Sequence, residues 1–237
     1  MGAYVEGQQG QSLMTKKPAG DLTSYRSVSL TSAACKVTEA VTLVRLDWVA
    51  RERGFLADEQ TGFRCQRCTV DSIAYVVSAL EEDKVRGEVV LLVLIDIQGA
   101  FDGLPHPVVQ QALDLLGISG NLRRFISSFL KERILRVHEG RSKSSPRALA
   151  AGVPQGSVVS PFLFNLDLAR LPTALPIDTN FPVESYIYVD DIALWVRRRP
   201  QSLHSARKAP QRALDTAAAY LNRAVVLDYG SNGKDHS

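Results

Sequence analysis

Residues 185–196 read SYIYVDDIALWV, two apolar runs with the carboxylates of Asp190 and Asp191 side by side between them. Adjacent like charges repel, and burying unpaired charge is costly. Asp is at home where strands reverse, so a hairpin turn is one reading. A divalent ion held at the tip of that hairpin is the other. The stretch 88–97, EVVLLVLIDI, bears on the choice. It is a continuous β-branched and Leu-rich run, which predicts a central strand covered on both faces and ending at Asp96. Alone, Asp96 reads as a helix cap at the exit of that strand. Beside an Asp-Asp hairpin it becomes a third carboxylate that a small sheet can bring to the same point. Hard cations such as Mg2+ are bound by one or two such oxygens plus substrate phosphates, and the ion turns repulsion into attraction. Two ions about 3.5–4 Å apart would clamp the attacking and leaving oxygens of a phosphoryl transfer.

Periodicity outside these two stretches is mostly helical. KVTEAVTLVRLDWVARERG (36–54) carries Val37, Val41, Val44, Leu46, Trp48 and Val49 at spacings that suit an amphipathic helix stopped by Gly54. TVDSIAYVVSALEEDKVRG (69–87) predicts a second helix with Thr69 or Asp71 as N-cap. PHPVVQQALDLLGI, NLRRFISSFLKERIL and SVVSPFLFNLDLARL read as three more, and SARKAPQRALDTAAAYLNRA as a last one started or interrupted by Pro210. Residues 184–197 are the hairpin, and residues 1–24 a flexible or edge segment. The class is α+β, a small and largely antiparallel sheet backed by helices.

Composition narrows the setting. The 237 residues are 45% hydrophobic and 22% charged, ordinary for a globular chain with one large domain or two small ones. The polar start predicts no secretion signal, and the run Val89–Ile95 is far shorter than the ~20 residues that span a bilayer. An intracellular protein, in cytoplasm or nucleus, without membrane partners is expected. Three cysteines argue against a disulfide scaffold. Cys65 and Cys68 form a C-x-x-C pair, but no second Cys or His pair occurs downstream at ligand spacing, so incidental thiols stand beside zinc as the reading. The net charge is +3, yet Arg197–Arg223 holds seven Lys or Arg and one acid, Asp215. Such a stretch is a solvated helix face or a footprint for phosphate backbones.

Several segments together resemble the reverse transcriptases of non-long-terminal-repeat (LINE-type) retrotransposons. VLIDIQGAFD (93–102) is similar to their first palm motif, GVPQGSVVSPFLFNL (152–166) to their Pro-Gln-Gly segment, and YVDD (188–191) to the Tyr-x-Asp-Asp signature. YRSVSLTSAACKVTE (25–39) and EQTGFRCQRCTVDSI (59–73) resemble their fingers motifs. The resemblance implies a right-hand polymerase fold with fingers over 25–87, a palm with inserted fingers helices over 88–200, and a palm end with a basic helix over 201–237. It also implies RNA-directed DNA polymerase activity with two Mg2+ ions, Mn2+ being the alternative, on an RNA template, a DNA primer and deoxynucleoside triphosphates.

Residue by residue, the resemblance makes Asp96, Asp190 and Asp191 the catalytic metal ligands. Phe101 falls where the family crowds the sugar 2′ position, with core packing as its other reading. Gln155 and Gly156 would face the incoming nucleotide, and Arg26, helped by Lys17 or Lys16, would neutralise its triphosphate through a forked guanidinium. Arg64, Arg67 and Tyr188 would meet template or primer. Ser27, Cys65, Cys68 and Val189 depart from the residues typical of relatives, but no metal ligand is lost. After AAAYLNRA the ending VVLDYGSNGKDHS does not resemble the family's continuation. The expectation is therefore a shortened polymerase lacking its thumb, working with a partner that restores it or persisting as a silent nucleic-acid-binding remnant.

Overall fold

The structure is a computed structural model, and it describes residues 4–10, 26–131, 133–139, 142–177, 182–202 and 208–231. Two compact units make up the chain, one of Met1–Phe55 with Gly99–Asp167, the other of Leu56–Gln98 with Leu168–Ser237. Residues 25–87, expected as one fingers region, are thus divided between them.

The first unit holds strands β1 (Tyr4–Gly10) and β2 (Arg26–Leu30) and helix α1 (Ala33–Glu52). Ser32 caps α1 by accepting the Cys35 N–H at 3.2 Å. The buried face of α1 keeps only Leu46 of the expected apolar set fully inside. Glu39, Thr42, Leu46 and Ala50 are buried, whereas Val37, Val41, Val44 and Trp48 are 66%, 55%, 69% and 59% exposed. Tyr4–Gly10 is not an edge element, because β1 pairs antiparallel with β2 and parallel with β4 (Arg133–Glu139). The short β5 (Ser142–Lys143) and β6 (Arg147–Leu149) both pair with β4, so this sheet is mixed. Of KERIL (131–135), expected to end a helix, Arg133, Ile134 and Leu135 instead form the start of β4.

Helices α3 (His106–Leu115) and α4 (Gly120–Leu130) bury Val108, Val109, Ala112 and Leu113 on one, Ile126 and Leu130 on the other. Helix α5 (Ser160–Leu168) is apolar nearly all round, with Phe162, Leu163, Phe164 and Leu166 all buried.

The second unit opens with α2 (Thr69–Val85), whose N-cap is Cys68 rather than Thr69 or Asp71. Asp71 still serves the helix start, accepting the Cys68 N–H at 3.1 Å. Three strands come from distant parts of the chain, β3 (Val89–Asp96), β7 (Glu184–Tyr188) and β8 (Asp191–Arg198). They form an antiparallel sheet in the order β3-β8-β7. The core of the unit includes Ile187, Leu194 and Trp195 from this sheet, Leu171 from helix α6 (Leu171–Ala174), and Ala213 and Ala217 from helix α7 (Lys208–Ser231). Strand β3 is not covered on both faces: Leu92 and Leu94 alternate outward with Asp96.

An ion cluster ties the far end of this sheet to α2. Asp83 is fully buried, with Arg197 Nε 3.5 Å away, and Arg197 also grips Glu184 at 2.5 Å. Part of the basic stretch that begins at Arg197 is therefore engaged inside the unit. Among the described residues no helix is long and apolar enough to cross a membrane.

Candidate active site

In the second unit, antiparallel register does what spacing alone could not. β3 and β8 pair from Val89↔Arg198 to Asp96↔Asp191, so two carboxylates 95 positions apart in the chain stand opposite each other at the ends of neighbouring strands. Directly opposed residues in such a ladder have Cβ atoms about 4.5–5.5 Å apart. Asp190 occupies the two-residue turn between β7 and β8, and its carbonyl accepts the Ile97 N–H at 3.0 Å. That bond locks the exit of β3 to the hairpin tip. Asp96 and Asp191 are exposed and Asp190 is partly exposed.

The proton affinity of Asp191 records this crowding. Partial burial raises it above the usual carboxylate range, and the negative charges of Asp190 and then Asp96 raise it further. Among the described residues none of the three has an ion-pair partner. Nor, among those residues, is there a group of three or more His, Cys, Asp or Glu arranged to hold a metal ion. Oxygen donors of one charge, exposed and lacking a counter-charge, are the donor chemistry of a hard divalent cation whose shell is completed by water and phosphate.

The hairpin is braced from one side by residues 57–69. Ile187 donates its N–H to the Glu59 carbonyl and accepts from the Thr61 N–H, both at 2.9 Å. Gly62 lies so close that a Cβ there would meet the Val189 backbone nitrogen at 2.6 Å. Tyr188 accepts the Thr69 hydroxyl at 2.7 Å. Arg64 donates to the Ala57 and Gln60 carbonyls at 2.7 and 2.8 Å, and Arg67 pairs with Asp58. Both guanidiniums therefore already hold this loop in shape. Cys65 and Cys68 are free, exposed thiols.

In the first unit, Phe101, Gln155 and Gly156 share one framework. The Phe101 carbonyl accepts the Val153 N–H and the Leu104 carbonyl accepts the Gly152 N–H, each at 2.8 Å. Gly152, at φ +82°, approaches so closely that a Cβ would sit 2.5 Å from the Asp102 carbonyl oxygen. Its own carbonyl accepts from His106 Nε2 and from the buried Arg133, both at 2.8 Å. The Phe101 ring packs against Phe164 with centroids 5.3 Å apart. Gln155 is tied to β2, its carbonyl accepting the Ser29 N–H at 2.7 Å. Arg26 begins β2 opposite Gly10. Lys17 and Lys16 lie outside the described residues.

Sequence reading passed over Glu39, Gly62, His106 and Arg133, which hold these frameworks without belonging to any chemistry-bearing pattern. Gly62 and Glu39 lie inside the quoted fingers motifs, the one signal that pointed toward them.

A small antiparallel sheet presenting opposed carboxylates at a hairpin tip, backed by helices, defines the chain as a right-hand polymerase fold. Solved telomerases share that fold. The telomerase of Candida albicans, solved with a fragment of telomeric RNA, aligns over 90% of this chain and 40% of its own at a TM-score of 0.61 and 12% identity. The apo telomerase of Candida tropicalis aligns over 94% and 47% at 0.58 and 10% identity. In sequence, residues 14–224 match the reverse transcriptase (RNA-dependent DNA polymerase) family, and the chain belongs to it. It is 32% identical over 212 residues to a probable RNA-directed DNA polymerase from transposon BS of Drosophila melanogaster. It is 33% identical over 204 residues to the RNA-directed DNA polymerase of the mobile element jockey of the same fly. These alignments cover 89% and 85% of this chain but only 23% and 22% of those relatives.

Proposed function

We propose that this chain carries out template-directed addition of deoxynucleotides to a primer 3′-hydroxyl on an RNA template. The observation that carries the reading is the Asp96↔Asp191 register beside Asp190 at the hairpin tip. Asp96, Asp190 and Asp191 would hold two Mg2+ ions, with Mn2+ as a substitute. Such ions, held by these carboxylates, would supply Lewis acidity and counter-charge to phosphoryl transfer.

The remaining residues position and exclude. Gln155 and Gly156 present backbone and amide to the incoming nucleotide, with Gly156 at φ +105° leaving that side of the loop free of a side chain. Phe101, backed by Phe164, is the wall against a sugar 2′-hydroxyl. Arg26, with Lys17, meets the triphosphate. Tyr188 packs near the primer end, and Arg64 and Arg67 shape the loop that borders the template. In these terms 25–87 acts as fingers and 88–200 as palm.

Primer extension with RNA template, DNA primer, deoxynucleotides and Mg2+ tests the reading, comparing the chain with Asp190→Asn. Extension by the first and background from the second is expected. Equal extension by both would refute it. Silence from both, with salt-sensitive primer–template binding retained, would make the chain a binding remnant of a polymerase instead.

A further inference from the structure

Glu39 lies in the first half of α1 and is fully buried. A carboxylate in such a place needs partners, and it has three. Its Oε2 accepts the Ser157 hydroxyl at 2.6 Å and the Val158 N–H at 2.7 Å, while Oε1 accepts the Cys35 thiol at 3.1 Å. Ser157 Oγ in turn accepts the Val159 and Ser160 N–H groups at 3.2 and 3.3 Å, at the start of α5. The negative charge therefore faces a helix N-terminus, where it is electrostatically favoured. Two residues upstream of Ser157 is Gln155, pinned by Ser29, and Val153 is pinned by Phe101. The segment 153–160 is thus held at four places, at Val153 and Gln155 by backbone groups and at Ser157 and Val158 by the Glu39 carboxylate.

We propose that Glu39 is the positioning residue of the loop at Gln155 and Gly156, acting through Ser157 and Val158 to set affinity for the incoming nucleotide. This rests on the reading of that loop as nucleotide-facing. Glu39 touches no substrate. Its charge orients the Ser157 hydroxyl and the Val158 amide, and these fix where the preceding two residues present their backbone. The chemical step, assigned to the carboxylate hairpin, is left alone.

The division of labour is measurable. Glu39→Ala leaves the Val158 N–H and the Ser157 hydroxyl without their acceptor, which should raise KM for the deoxynucleotide about tenfold. kcat and primer–template affinity should stay within about twofold. Ser157→Ala should move KM in the same direction. Glu39→Gln keeps an acceptor oxygen in place and should restore most of the affinity. If Glu39→Ala does not fold, Glu39→Asp, which withdraws the carboxylate by one methylene, and Ser157→Ala carry the test.

Unchanged KM in folded Glu39→Ala or Ser157→Ala would overturn the proposal, as would a fall in kcat alone. Equilibrium binding of dTTP with Mg2+ separates the two levels of inference. If the wild-type chain binds dTTP but extends no primer, the polymerase reading fails. The Glu39 proposal is then decided by dTTP affinity, weakened in Glu39→Ala if it holds and unchanged if it does not. No dTTP binding by the wild type would overturn both.

Discussion

Val189 sits in the turn between β7 and β8 at φ +56°, a conformation that a β-branched side chain rarely adopts. Holding it there costs on the order of 1–3 kcal/mol, and the surroundings must over-determine the turn to keep it. They do so through the Ile97–Asp190 bond on one side and the Thr61–Ile187 and Glu59–Ile187 bonds on the other. The strain is stored next to Asp190 and Asp191, whose mutual repulsion is a second local cost. His106 shows a different balance. Burial lowers its proton affinity, the bond to the Gly152 carbonyl opposes that, and the Arg133 charge lowers it further. The folded chain then binds fewer protons at this ring than the unfolded chain, so stability rises with pH through this range. That contribution begins to be lost as pH falls below the unfolded value, about 6.5, and is gone once pH is below the lower folded value. Thermal melts should show Tm dropping as pH falls below about 6.5, and dropping less in His106→Gln. Equal slopes would mean that His106 does not govern this window.

At the level of elements, the hairpin is supported as much by a loop as by strands. Residues 59–62 add backbone hydrogen bonds along β7, and the approach at Gly62 leaves no space for even a methyl group. Gly62→Ala should destabilise the chain by about 2 kcal/mol, since the clash is with backbone that cannot rotate away. Its extension rate should fall together with its Tm. A full-strength melt from this variant would show that the loop yields easily.

Elements also mark where sequence reading went astray. The valines of α1 have the right spacing for a core face, yet the helix turns Glu39, Thr42, Leu46 and Ala50 inward. What decides this is a partner more than a hundred residues away. Ser157 and Val158 offer Glu39 hydrogen bonds that no local pattern announces. Likewise Arg133–Glu139 begins in a stretch that reads as helical but becomes a strand because β1 and β6 lie ready to pair with it.

Across the whole molecule, each unit is assembled from two stretches of chain, with breaks after Phe55, Gln98 and Asp167. Neither can be completed by a contiguous fragment. A fragment of residues 1–98 would carry β3 without β8 or β7, and β1 without β4. It should show no cooperative thermal transition by circular dichroism, whereas the full chain should. A cooperative melt of the fragment would mean that one unit does not need its second stretch. The two tryptophans serve as separate reporters for the full chain, Trp48 exposed in the first unit and Trp195 fully buried in the second.

The carboxylates, the strand that ends in Asp96, the hairpin and the family were determined by the sequence itself. Each is a local matter of residue type, alternation or motif, and local preferences need no distant partner to be expressed. Tertiary structure alone decided that Asp96 stands opposite Asp191, that α1 buries the face bearing Glu39, that Cys68 rather than Thr69 caps α2, and that Gly62 must be bare. All of these depend on which segment arrives alongside. That is set by the sum of sheet register, close packing and the satisfaction of buried polar groups over the entire chain.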